Sequence, residues 1–263
     1  MLLRSLMTHV REQNWFAVVL DFLVVVVGIW IALLVSQWTE KQQRVSALER
    51  AEAEINEKLS VTYFFLRERL AIAPCRRERY RHIGDLLLSP DTQWTGYSPP
   101  FDGDEFGQQQ ALPAAIFAMT RPFTTGTWDA LLRNGDLDEM STTRRLAYTS
   151  AFDMINILSR LQRSIDQAVS RLQILRRPVP MSMSDRMRYY DQLAFADAQS
   201  AELEMVAEEL IETIEREKLA VFTDRMKSLT LDHLEEIKPA YRAIYGDCRV
   251  DVELPLLGEQ PAG

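Results

Sequence analysis

Hydrophobic and polar positions alternate along the chain with helical spacing almost throughout, and the spacing changes character at a few definite points. Trp15 to Trp38 reads WFAVVLDFLVVVVGIWIALLVSQW, in which Asp21 is the only charge before Val35 and Phe22–Val35 is unbroken apolar residues and glycine. About 20 residues rising ~1.5 Å each cross a hydrocarbon core of ~30 Å. Trp15 and Trp38 fall where interfacial aromatic belts lie. The expectation is a transmembrane helix over residues 15–38. The alternative is a cleaved signal peptide, but Leu33–Glu40 holds no Ala-x-Ala-like site and a charged helical segment follows directly.

From Thr39 to about Ala73, Val45, Leu48, Ile55, Leu59 and Leu66 form one stripe, interrupted by Glu52 and Thr62. Pro74 is expected to break this helix, with a second piece from Cys75 to Leu88. Arg76, Arg77, Arg79 and Arg81 on that piece could form an anion site; Glu78 and Asp85 dilute them, so a solvated face is expected. The strongest periodicity follows further on. Ala147, Ala151, Met154, Leu158, Leu161, Ile165, Ala168, Leu172 and Leu175 keep 4-3-4-3 spacing until Pro178 and Pro180. A preceding short helix is capped by Thr127 and ended by Gly135. Another helix is expected from about Ser184 to Leu229, with Leu203, Ala207, Leu210 and Ile214 inside and Glu202, Glu204, Glu208, Glu209, Glu212, Glu215 and Glu217 outside. The last, Leu231–Tyr245, carries Pro239 and stops at Gly246.

Residues 89–126 break the pattern, holding nine of the chain's 21 prolines and glycines. They are also aromatic, and Trp94, Tyr97, Phe101 and Phe106 are candidates for a ligand or partner surface. The competing reading is that these rings pack the segment onto the helices. A short helix is expected near residues 114–119.

Composition narrows the function classes. The chain of 263 residues is 47% hydrophobic and 26% charged, which is globular rather than disordered. A net charge of -8 argues against nucleic acid as a partner. Residues 1–38 hold two basic and two acidic side chains, so the whole imbalance belongs to the remaining 225. No phosphate-binding glycine loop, HExxH, GxSxG or CxxC is present, and neither cofactor nor metal is expected. Asp232, His233, Glu235 and Glu236 are adjacent, but helical spacing spreads them around the axis.

The two cysteines, Cys75 and Cys248, lie near opposite ends of the post-membrane chain. Such a pair suits a disulfide in an oxidising compartment; two unrelated free thiols are the alternative. Flanking Lys and Arg are nearly balanced (Arg4 and Arg11 against Lys41, Arg44 and Arg50), so orientation rests mainly on the cysteines. The expectation is a short cytoplasmic lead over residues 1–14 and a large periplasmic domain. The lead is too short to be an output domain, so a signal would pass through a partner.

Within the span, Asp21, Gly28, Ala32 and Ser36 share one helical face, with small residues at four-residue spacing. Such a face admits a second helix closely and can hydrogen-bond across it, making it a candidate contact with another copy or a partner membrane protein. Asp21 wetted by the headgroups is the plainer reading.

REQNWFAVVLDFLVVVVGIWIALLVSQWTE resembles the N-terminus of a family of bacterial single-pass membrane proteins of unknown function, with an Asp early in a Val-rich span, a Gly, and a polar-Trp exit. TWDALLRNGDL resembles a second pattern of that family. The resemblance implies placement in a bacterial inner membrane and no activity.

The expected fold is all-α: the membrane helix, then an antiparallel helical bundle over residues 39–254 with an irregular aromatic insertion at 89–126, and a flexible tail at 255–263. The expected function is non-enzymatic: an interaction, scaffold or sensor protein whose partners are the lipid bilayer and a second copy or another membrane protein. An envelope enzyme with a site under the 89–126 loop is the alternative.

Overall fold

The computed structural model describes residues 15–89, 93–96, 123–135, 137–245, 248 and 250–257. The expected lead, the helix near 114–119, most of the insertion and the end of the tail lie outside the described residues. Those described are all-α, with five α-helices and one two-residue strand pair. They are α1 (Trp15–Leu88), β1 (Gln93–Trp94), α2 (Gly126–Asn134), α3 (Thr142–Ser170), β2 (Val179–Pro180), α4 (Met183–Glu217) and α5 (Asp224–Tyr245). The chain divides into two units, residues 1–50 and 51–263.

In the first unit, the N-terminal part of α1 is long and apolar enough to cross a membrane. Every residue from Val19 to Val35 is exposed.

The second unit is a helical bundle whose directions can be read from its cross-links. Tyr148 OH donates to Asn56 Oδ1 and Arg69 Nη1 donates to Gln162 Oε1, so α3 runs alongside α1 in the same direction. Arg186 meets Leu86, Glu204 meets Arg76, and Glu215 meets Arg67, so α4 runs antiparallel to α1. Phe222 lies edge-on to Tyr63, His233 lies edge-on to Phe64, and Cys248 is bonded to Cys75, so α5 turns back along α1 again. Ile55, Leu59, Leu66, Leu158, Leu203, Ala207, Leu210 and Ile214 are fully buried, as the helical stripes require.

Four boundaries differ from the sequence expectation. The helix expected to carry its stripe through Leu172 and Leu175 to Pro178 ends at Ser170, and a 3-10 turn over Gln173–Arg176 follows. Pro74 does not break α1, which continues to Leu88. Pro74 is exposed, while Ile72, Ala73, Cys75 and Arg76 around it are buried and hold the helix together. The long helix expected to Leu229 ends at Glu217 instead. Lys218 takes the left-handed conformation (φ 51°) and its N–H caps Ile214 and Glu215. Thr223 Oγ1 then accepts from Met226 N to start α5, so Met226 and Leu229 belong to α5 rather than to α4. The short helix α2 starts earlier than expected, with Thr125 rather than Thr127 at its cap, whereas Gly135 ends it at φ 75° as expected.

Candidate functional site

The predicted membrane-helix face lies in the first unit. Asp21, Gly28, Ala32 and Ser36 are all exposed, and a Cβ added at Gly28 would have nothing within 4 Å. The surface over Gly28 is therefore open for another helix to approach.

In the second unit the structure brings Cys75 and Cys248 together as a disulfide, with a Cα–Cα distance of 5.7 Å across a sequence separation of 173. It joins α1 to the chain just after α5. Beside it lies a polar cluster inside the bundle. Arg76, 1% exposed, donates from Nε and Nη2 to Glu204 Oε1 at 3.2 and 2.8 Å, and from Nη1 to Asp197 Oδ1 at 2.7 Å. Arg77 Nη1 donates to the other oxygen of Glu204 at 2.8 Å. The Arg76 guanidinium also lies over the Tyr80 ring, 4.8 Å from its centroid. Two turns earlier, buried Arg69 donates to Gln162, whose amide donates to Asp166 Oδ1 at 2.7 Å.

Electrostatics separates the two buried arginines. Burial lowers the pKa of Arg76, but Glu204, Tyr80 and the hydrogen bonds to Asp197 and Glu204 outweigh it, and the result lies above the ordinary arginine value. Arg69 has burial and the nearby Arg76 against it, and its pKa falls below the ordinary value. Burial pushes the Tyr80 and Tyr245 hydroxyls up, so both stay neutral. The charges of Arg76, Arg77, Asp197 and Glu204 are met by one another and hold α1 and α4 together.

Sequence reasoning missed this cluster. It placed Arg76 on a solvated face and Glu204 on an outer acidic face, and both are buried. The signal was present in part, since Glu204 directly follows Leu203 of the inner stripe and so sits at the edge of the buried face.

The aromatic candidates divide. Tyr97, Phe101 and Phe106 lie outside the described residues. Trp94 is not part of a surface: it is 4% exposed, its Nε1 donates to Leu175 O at 2.9 Å, and it pairs with Val179 across the β1–β2 ribbon. A buried indole that has found a carbonyl partner anchors its segment rather than waiting for a ligand. Phe123 is buried likewise. Gly96 completes the anchor at φ 85°, where a Cβ would lie 3.1 Å from Arg176 O and 3.2 Å from Pro178 N.

The anchored ribbon lies against the α3–α4 turn, and that end of the bundle is rich in arginine. Arg186, 2% exposed, donates from Nη1 to Leu86 O and Ser89 O, supplying to the end of α1 the cation its own last turn lacks. Its Nε and Nη2 are buried without a partner. A cavity of about 510 Å³ is lined by Gln173, Ile174, Arg176 and Arg177, and a second of about 270 Å³ by Arg171, Arg188, Tyr189 and Gln192.

His233 Nδ1 stands 3.9 Å from Glu236 and its ring lies edge-on to Phe64. Among the described residues, no three His, Cys, Asp or Glu side chains are grouped to hold a metal. No family model, no curated protein and no solved structure matches this chain.

Proposed function

We propose that this protein is a membrane-anchored helical-bundle protein of interaction, scaffold or sensor type, held in a bacterial inner membrane with its large domain on the periplasmic side and acting through partner proteins. The observation that carries this reading is the exposed apolar stretch of α1. Seventeen consecutive exposed positions from Val19 to Val35, fifteen of them apolar besides Asp21 and Gly28, need a non-aqueous surrounding, and lipid supplies it. The Cys75–Cys248 pair supports the compartment, because disulfides persist where the surroundings are oxidising. The resemblance of the first segment to bacterial single-pass proteins points the same way.

The partner contact is assigned to the face of Asp21, Gly28, Ala32 and Ser36. A second helix lying on Gly28 and Ala32 would bring a donor within reach of Asp21, whose carboxylate is costly in lipid and gains from a partner. Trp94, packed and hydrogen-bonded where the alternative placed an enzyme site under the loop, favours the interaction reading over the enzymatic one.

Crosslinking of the full chain in native membranes tests this. The wild type is expected to give a crosslinked species, homomeric or with one defined membrane protein, that Gly28→Leu/Ala32→Leu diminishes while membrane insertion is unchanged. Unaltered crosslinking in the double variant contradicts the assignment of this face.

A further inference from the structure

We infer that Met183, Met187 and Met205, on the outer face of α4, form an oxidant-reactive site whose thioethers hydrogen peroxide converts reversibly to sulfoxides while the bundle stays folded. This is independent of the anchoring and helix contact proposed above. The helix carries two faces of different kinds. Leu193, Ala196, Leu203, Ala207, Leu210 and Ile214 are buried and hold it in the bundle. Positions 187, 191, 194, 198, 201, 205, 208 and 212 keep four-and-three spacing on the opposite side, and every one is exposed. Met187 and Met205 lie about five turns apart, so they share one line along the helix, about 27 Å from each other. Met183 precedes Met187 by about one turn.

Exposure sorts the methionines by location. Those on this face are 53%, 42% and 63% exposed, whereas Met140, Met154 and Met181 are 6%, 8% and 6% exposed. A buried methionine fills an irregular gap in a core. Met183, Met187 and Met205 fill none, and what they present to their surroundings is sulfur. A thioether open to solvent oxidises directly, while one inside a core waits for a local opening. Glu202, Glu208 and Glu209 stand three or four residues from Met205 and are exposed. Their field disfavours an anionic oxidant at that sulfur and leaves a neutral one, such as hydrogen peroxide, unhindered.

In the forward step a sulfur lone pair attacks one oxygen of the peroxide. The S–O bond forms as the O–O bond breaks, and the proton of the transferred hydroxyl passes to the departing hydroxide, which leaves as water. Sulfur loses two electrons and the peroxide gains them. The return step uses dithiol-dependent sulfoxide reductases: the sulfoxide oxygen leaves as water and two thiols become a disulfide. A sulfoxide is polar and would disrupt a core. On this face it changes the surface of α4 from apolar to polar and leaves the buried stripe on the opposite side untouched.

The experiment treats the full-length chain, in detergent freed of peroxides, with hydrogen peroxide and follows each methionine by peptide mass mapping. Met183, Met187 and Met205 are expected to gain one oxygen each at least about tenfold faster than Met140, Met154 and Met181. In guanidinium the six rates should converge. The chain carrying the sulfoxides should keep the thermal midpoint of the wild type. A pair of methionine sulfoxide reductases, one for each epimer, should then remove the oxygens from the folded chain. Met183→Leu/Met187→Leu/Met205→Leu should fold as the wild type does and show no fast oxygen uptake. Equal rates among the six methionines in the folded chain, loss of the fold once the α4 sites are oxidised, or sulfoxides that the reductases remove only after unfolding overturns the inference.

Discussion

Replacing Glu204 by glutamine removes one charge from the buried cluster and almost nothing from its volume, so it measures what the ion pair does. In the wild type, Glu204 accepts two bonds from Arg76 and one from Arg77. Arg77 is 53% exposed on its side chain and can turn to water once the carboxylate is gone. Arg76 cannot, being 1% exposed, and keeps only Asp197 as a charged partner. Leaving a buried guanidinium short of its counter-charge costs about 3–5 kcal/mol, and glutamine, which still offers one acceptor oxygen, belongs at the lower end. For a domain of this size each kcal/mol moves the midpoint by ~2–4 °C, so a fall of roughly 6–12 °C is expected. Asp197→Asn is the control. Asp197 is 45% exposed, and its removal leaves Arg76 paired with Glu204, so a loss of no more than about 1 kcal/mol is expected. Replacing Arg76 and Glu204 together by methionine should destabilise less than the two single changes summed, with a coupling of roughly 1–3 kcal/mol. Thermal unfolding of the detergent-solubilised chain by circular dichroism reads all of these variants, the two single methionine changes included. Equal losses in Glu204→Gln and Asp197→Asn, or strict additivity in the double variant, would refute the claim that burial makes this pair matter.

Other consequences follow from single features. Cys75→Ser/Cys248→Ser opens a loop of 173 residues in sequence separation and should lower stability by up to about 5 kcal/mol on the chain-entropy model, read as a lower unfolding midpoint that added reductant no longer changes. Burial, and then the hydrogen bond to Glu215, push the Tyr63 hydroxyl from its ordinary 10.0 up to about 12. The unfolded chain therefore loses this proton first, and the contribution of Tyr63 is full below pH 10.0 and lost as pH rises to about 12. Tyr63→Phe should flatten the fall in stability over that window, and an unchanged alkaline profile would contradict the assignment. Gly96→Ala meets both a positive φ and backbone atoms of the α3–α4 turn, so it should cost about 1–3 kcal/mol and raise hydrogen exchange in β1 and β2.

The elements that were legible in the sequence are those whose apolar spacing is regular and whose neighbours are apolar too. From Ala151 to Ala168 the stripe of α3, and the inner positions of α4, are buried where periodicity put them, and the exposed Val-rich stretch of α1 follows from its composition alone. What was not legible depends on groups far apart in sequence. Arg76 and Glu204 are separated by 128 positions, and each reads as an ordinary surface charge until packing brings them together. Pro74 is a helix breaker by its own chemistry, yet here it faces solvent within a helix pinned on both sides, so tertiary contacts override it. Lys218 in the left-handed conformation has no glycine to announce it, which is why the end of α4 was expected too late. Trp94 was recognised as important, but its role as an anchor required the carbonyl of Leu175, 81 positions away.

The most direct test of the account is thiol labelling in intact cells, quenched under denaturing conditions, with and without prior reduction, followed by intact mass. The account predicts that Cys75 and Cys248 take no label until reductant is added, and then take two. Labelling of both thiols without reduction would contradict it, leaving the bundle without its covalent closure and the periplasmic placement without its main support.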